Sequence, residues 1–174
     1  MLFMGEEFAA SAPFLFFCDF GPELAKAVTE GRRREFRRFA QFGENDELIP
    51  DPNHPDTFER SKLDWMSLGS PGHAEWLTLY RTLLALRREH IAPRLPGMRG
   101  HAGRYTRLAE GALLARWPLG DGSTLELALN LSDAPVKTEI VQGTLLHCEP
   151  VAAAPQIEAG TLNPDTAAVY LVHA

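Results

Sequence analysis

The chain has 174 residues, is 45% apolar and carries a formal net charge of -6, a composition that belongs to a globular protein and excludes a disordered one. With 17 basic against 23 acidic side chains, no accumulated cation is available to hold a polyanion, so nucleic acid is not expected as a partner. No run of about 18 apolar residues occurs and the start lacks a basic signal segment, so no membrane partner is expected either. Cys18 and Cys148 lie far apart and read as free thiols, consistent with a cytoplasmic location.

In chain order, "MLFMGEEF" opens with four apolar residues before Gly5, the pattern of a strand buried on both faces. It begins without a preceding turn, which places the expected start of its domain upstream of Met1. "AASAPFLFFCDFG" then sets Phe14, Leu15, Phe16, Phe17 and Phe20 within seven positions, too apolar for an idle surface loop. Pro22 suits the first turn of a helix with Leu24, Val28, Phe36 and Phe39 near one stripe and a Glu30/Arg34 pair on the other side. Residues 43–72 are rich in Pro, Asn, Asp and Gly and read as loop, with one short helical turn around 57–62.

Ser70 and Pro71 then start a helix carrying Trp76, Tyr80, Leu83, Leu84 and Ile91 on one side, ended by Pro93 and Pro96. After residue 97 the period changes. "STLELALNLS" alternates, with Leu125, Leu127, Leu129 and Leu131 on one face and Glu126, Ala128 and Asn130 on the other, which reads as a half-buried strand. "GDG" at 120–122 is the turn of a hairpin with "ALLARW". Further strands are expected at 104–108, 136–141, 144–148 and 167–172. The division is therefore a first region, 1–96, and an antiparallel β-domain, 97–174, which at under 80 residues buries too little surface to stand without a neighbour.

The paired carboxylates Glu6 and Glu7 raise the question of glycoside hydrolysis, in which two carboxyl groups flank one bond at about 5 to 9.5 Å. Adjacent residues on an extended chain point to opposite faces, so these two are not the catalytic pair, although either one can face a substrate at the end of a barrel strand. "GRRREFRR" reads as a solvated helix face. The histidines at 54, 73, 90, 101 and 147 show no ligand spacing, and no phosphate loop or nucleophile elbow is found, so neither metal nor cofactor is expected. The aromatic run 14–20 offers ring faces for the apolar faces of pyranoses, with Asp19 to accept hydroxyl hydrogen bonds; packing is the competing reading of the same rings.

The order "LFMGEEF", "LDW", "HAEWLTLYRTLLALRREHIAPRL" and a leucine-alternating β-domain resembles the end of an α-amylase superfamily enzyme. More narrowly, "PFLFFCDFGPELAKAVTEGRRREF" followed by "IPDPNHPDTFERSKLDW" is similar to the malto-oligosyltrehalose trehalohydrolase family, which hydrolyses the α-1,4 linkage next to a terminal trehalose unit. Glycogen branching enzymes share "LFMG" and "LDW". The resemblance implies an α+β chain: a helical remnant of the end of a (β/α)8 barrel followed by a small antiparallel β-sandwich domain. It implies that the catalytic carboxylates lie on earlier strands not represented in this chain, and that Glu7, Phe17, Asp19 and Phe20 lie near the rim of the substrate cleft. The expected partners are an α-glucan or malto-oligosyltrehalose, and a missing barrel half or a second copy. The alternatives are a stand-alone, non-catalytic α-glucan-binding or interaction module and a fragment of a glycogen branching enzyme-like protein.

Overall fold

The computed structural model describes residues 1–37 and 49–173. It divides into two compact units, Met1–Tyr80 and Arg81–Ala174, each taken by itself below.

In the first unit the expected opening strand is not formed. Met1, Leu2, Phe3 and Met4 are exposed, and no strand lies among the described residues of that unit. A lone extended segment has no ladder to satisfy its backbone groups, so the chain turns instead. Gly5, at φ 81°, leads into a 3-10 turn, Glu6–Phe8, and a Cβ at Gly5 would stand 2.7 Å from both Ala10 Cβ and Leu63 Cδ2. The turn delivers Phe8, fully buried, against Trp65 and His73 at ring-centroid distances of 5.6 and 6.0 Å. His73 Nδ1 lies 2.7 Å from the Phe8 carbonyl, which fixes the proton on that nitrogen.

Helix α1 is Pro22–Phe36, with proline in its first turn as the sequence predicts. The ion pair Glu30 makes is with Lys26, one turn before it, at 3.9 Å, rather than with the predicted Arg34 one turn after it; Phe39 lies outside the described residues. Helix α2, Pro55–Glu59, overlaps the helical turn expected around 57–62 but starts two residues earlier, and is capped by His54, whose Nδ1 accepts from Asp56 N–H. Asp64 caps a 3-10 turn, Trp65–Gly69, through Met66 N–H. Helix α3, Pro71–Leu86, begins where Ser70 and Pro71 predict and carries exposed Trp76, Leu83 and Leu84. It widens into a π turn, Arg87–Ile91, and tightens into a 3-10 turn, Ala92–Arg94. Pro93 forces the change, having no N–H to donate and a ring that crowds the carbonyl four residues back.

The second unit is built on an antiparallel sheet in the order β1-β2-β3-β7-β5: β1 Arg104–Ala109, β2 Ala112–Pro118, β3 Thr124–Asn130, β5 Thr144–Glu149 and β7 Thr166–Val172. Strand β4, Val136–Lys137, pairs with β6, Thr161–Leu162, as a separate ribbon. The predicted strand over 136–141 is thus cut to two residues, with Thr138 N–H still reaching the Gly160 carbonyl. The hairpin turn is held by Asp121, whose Oδ1 accepts from Ser123 N–H. Gly120 passes so close to the preceding segment that a Cβ there would lie 1.7 Å from the Pro96 carbonyl oxygen.

The alternation of β3 leaves open which of its faces is covered, and the structure decides it against the leucines. The face of β3 carrying Glu126, Ala128 and Asn130 is the buried one, while Leu125, Leu127 and Leu129 are half-buried and Leu131 is exposed. The cause is helix α4, Ala154–Glu158, and its flanks: Ala153, Ile157 and Leu162 pack on Leu114, Ala128, Cys148, Ala168 and Tyr170 of the sheet. Burial of Glu126 is tolerated because Arg116 Nε lies 3.1 Å from its carboxylate while the same guanidinium also bonds Glu139. Those two acids, Glu139 first, push Arg116 further above its already high value against the opposing effect of burial. The leucine face, with Leu113, Ala115 and Trp117, lines a shallow apolar groove of about 430 Å³.

Candidate functional site

The aromatic run 14–20 is pinned to the loop that precedes α2. Cys18 N–H donates to the Pro52 carbonyl at 2.9 Å, and Cys18 Sγ lies 3.4 Å from Asn53 Oδ1. Ser61, 2% exposed, accepts from Leu15 N–H at 3.1 Å and donates to the Thr57 carbonyl at 2.8 Å. Phe17 meets Phe58 edge to face at 5.1 Å. Between the two segments lies a cavity of about 550 Å³ lined by Phe17, Cys18, Asp19, Pro52, Asn53, His54, Pro55 and Phe58.

A small polar network adjoins this cavity and shares Asn53 with its lining. Asp51 Oδ1 accepts from Thr29 Oγ1 at 2.8 Å and from Asn53 N–H at 3.0 Å, and Asn53 Nδ2 donates to the Ala25 carbonyl and Thr29 Oγ1 at 3.1 and 3.2 Å. Thr57 Oγ1 closes the ring onto the Asp51 carbonyl. The Asn53 N–H, followed by the side chains of Thr29 and Asn53, holds the Asp51 carboxyl below its ordinary value against the opposing effect of burial. A carboxyl depressed in this way stabilises its surroundings fully above its unfolded pKa of about 4 and loses that contribution as pH falls through the lower folded value. The Asn53 amide resonance should therefore hold its position down to about pH 4 and move below it. In Asp51→Asn that acid transition should be gone; a transition unchanged in the variant would assign it to another group.

The cavity offers both hydrogen-bond senses. His54 Nδ1 accepts the Asp56 N–H at 3.2 Å, so the neutral ring carries its proton on Nε2 as a donor. Asp19, from the aromatic run that lines the cavity with it, is an exposed carboxylate acceptor. A donor, an acceptor and two ring edges around one concavity suit a polyhydroxylated ring with apolar faces.

Of the four residues expected at a sugar cleft, the structure brings Phe17 and Asp19 into this cavity. Phe20 is 44% exposed and Glu7 half-buried in the Glu6–Phe8 turn; neither is among the lining residues. Glu6 is occupied structurally: its carboxylate accepts from Phe3 N–H at 3.0 Å and from the Tyr80 hydroxyl at 3.1 Å. Loss of water around the Tyr80 phenol, then the Glu6 hydrogen bond, raises the phenol above its usual value. Sequence reasoning missed Asn53, His54 and Phe58. The signal for them was the Pro-Asn-Asp-rich stretch itself, whose Asx and capping side chains are what a rigid loop wall requires. No group of three His, Cys, Asp or Glu with metal-ligand placement occurs among the described residues.

Residues 100–169 match a family described as "Domain of unknown function (DUF3459)". A crystal structure of a Salmonella typhimurium protein, described as a candidate alpha amylase, superposes with a TM-score of 0.83 over 98% of this chain and 27% of its own, at 41% identity. Fold and sequence together define the class: the chain resembles a portion of an α-amylase superfamily protein. Among curated proteins, the malto-oligosyltrehalose trehalohydrolase of Brevibacterium helvolum is 43% identical over 84% of this chain and 23% of its own length. That of Deinococcus radiodurans is 38% identical over 86% and 25%. The particular resemblance is therefore to the C-terminal portion of malto-oligosyltrehalose trehalohydrolase, and the chain spans about a quarter of the length of the curated relatives it matches.

Proposed function

We propose that the chain is the C-terminal segment of a trehalohydrolase-like glycoside hydrolase acting on the α-1,4 linkage next to terminal trehalose in malto-oligosyltrehalose. It supplies a wall of the sugar cleft, with Glu7, Phe17, Asp19 and Phe20 as contact residues, while the carboxylates that form and resolve a glycosyl intermediate come from outside it. The observation that carries this reading is the cavity of about 550 Å³ that joins Phe17 and Asp19 to Asn53, His54 and Phe58. The names of the relatives support the substrate.

The experiment is to titrate the chain with malto-oligosyltrehalose while assaying free trehalose. Saturable binding without release of trehalose is the expected result. Sustained turnover would overturn the assignment of the carboxylates, and absence of binding would remove the cavity from the sugar cleft. A second reading, a stand-alone glucan-binding module, is favoured by one feature: every lining residue of the cavity lies between Phe17 and Phe58, inside one unit. It predicts equal affinity for plain maltodextrin.

The partner this reading implies is the remainder of an α-amylase-type barrel, or a second copy of the chain. The exposed Met1, Leu2, Phe3 and Met4 support that proposal, since contiguous apolar surface tends to be covered. The free thiols Cys18 and Cys148 support a cytoplasmic location, and no helix of the described residues is long and apolar enough to cross a membrane.

A further inference from the structure

A second cavity, of about 310 Å³, uses the start of the aromatic run and is lined by Phe14, Leu15, Phe16, Arg32, Phe36, Ile49, Pro50 and Arg60. Its chemistry differs from that of the first. The Arg32 guanidinium carbon stands 4.5 Å from the Phe16 ring centroid and 4.9 Å from that of Phe36, so the planar cation is gripped by two rings. Ring contacts hold a guanidinium in place without consuming its five N–H donors, which lie in its own plane. No carboxylate of the described residues pairs with Arg32. The second cation, Arg60, has only the half-exposed Asp56 at 3.8 Å, a surface pair of little energetic weight.

We infer that this cavity, with Arg32 fixed between Phe16 and Phe36 and Arg60 on its wall, binds a hexose phosphomonoester. The two guanidinium groups take the phosphate and the aromatic walls take the sugar ring. Arg32, with no carboxylate partner among the described residues, and Arg60, with only an exposed one, call for a ligand that brings its own negative charge into this apolar concavity, and an oriented guanidinium edge matches phosphate oxygens in bidentate fashion. Three phenyl rings call for an apolar face on the same ligand, which inorganic phosphate lacks and a pyranose has. The inference is independent of the glucan reading, since it uses no residue of the first cavity.

The test is calorimetric titration of the chain with glucose 6-phosphate, inorganic phosphate and glucose in parallel. Glucose 6-phosphate should bind saturably, at least about tenfold tighter than either of the others, and Arg32→Gln should weaken it by about tenfold or more, the cost of one charge-assisted pair. Arg60→Gln should weaken it by about threefold, since an exposed charge contributes less. If Arg32→Gln loses its native circular dichroism spectrum, the Arg60→Gln result decides. No saturable binding, equal affinity for inorganic phosphate or glucose, or full affinity in the folded variants would each overturn the inference.

Discussion

Asn130→Ala should lower the stability of the second unit by about 3 kcal/mol, and its melting temperature by about 10 °C. The side chain is fully buried and joins three segments. The two Nδ2 protons are shared among the carbonyls of Ala134, Leu162 and Asn163 at 2.9, 3.0 and 3.0 Å, and its Oδ1 accepts from Ser132 N–H and Oγ at 3.0 and 2.7 Å. Alanine removes all of these bonds at once and leaves the Leu162 carbonyl, whose contact with the amide is buried, without that partner, which costs more than the hydrogen bond itself contributed. Asn130→Asp should do at least as much harm, because a carboxylate would turn acceptor against acceptor toward three carbonyls. Leu131→Ala is the control: Leu131 is 66% exposed, and its loss should stay within about 0.5 kcal/mol. Thermal melts followed by circular dichroism decide; an Asn130→Ala variant as stable as the parent would show that water replaces the amide.

The contrast between Asn130 and Leu131 shows what sequence could and could not convey. Alternation over residues 124–131 established a strand, because a period of two follows from the pleat alone. The choice of buried face does not follow from the pleat. It depends on what lies over the sheet, and the covering segment around Ile157 and Leu162 comes some 30 residues later in a stretch with little periodicity. An apolar count on β3 favours the leucines; the tertiary cover favours Glu126, Ala128 and Asn130. The α+β order, the starts of α1 and α3, and the β2/β3 hairpin were legible because proline, capping residues and glycine turns act locally. The opening strand was not, because strand pattern and strand formation are separate matters: 1–4 have the composition but no neighbouring ladder among the described residues.

The same distinction governs the site. Phe17 and Asp19 were legible from composition, as a ring and a carboxylate in one aromatic run. Their partners Asn53, His54 and Phe58 are 34 to 41 residues away from them in sequence and meet them through tertiary contacts, the Cys18–Pro52, Cys18–Asn53 and Leu15–Ser61 bonds and the Phe17–Phe58 ring pair. Nothing local in either segment announces the other.

If the cavity is a wall of the sugar cleft, the side chains around it should rank by their place in it when malto-oligosyltrehalose is titrated against variants of the chain. Phe17→Ala should weaken binding by about tenfold, since it removes a ring face and, with it, the edge contact that orients Phe58 at 5.1 Å. Asp19→Asn keeps the shape and one acceptor oxygen but gives up the charge-assisted hydrogen bond to a hydroxyl, which is worth roughly 1 kcal/mol more than a neutral one and so about fivefold in affinity. Phe20→Ala should cost about twofold at most, because the ring is exposed and contributes only at a rim, where contacts carry little energy. Glu7→Gln should follow Phe20. The order matters more than the sizes: a larger loss at Phe20 than at Phe17 would move the sugar out of this cavity and onto the open side of the loop. Equal losses at all four would point to unfolding of the aromatic run, which the Cys18 and Asn53 amide resonances would reveal directly.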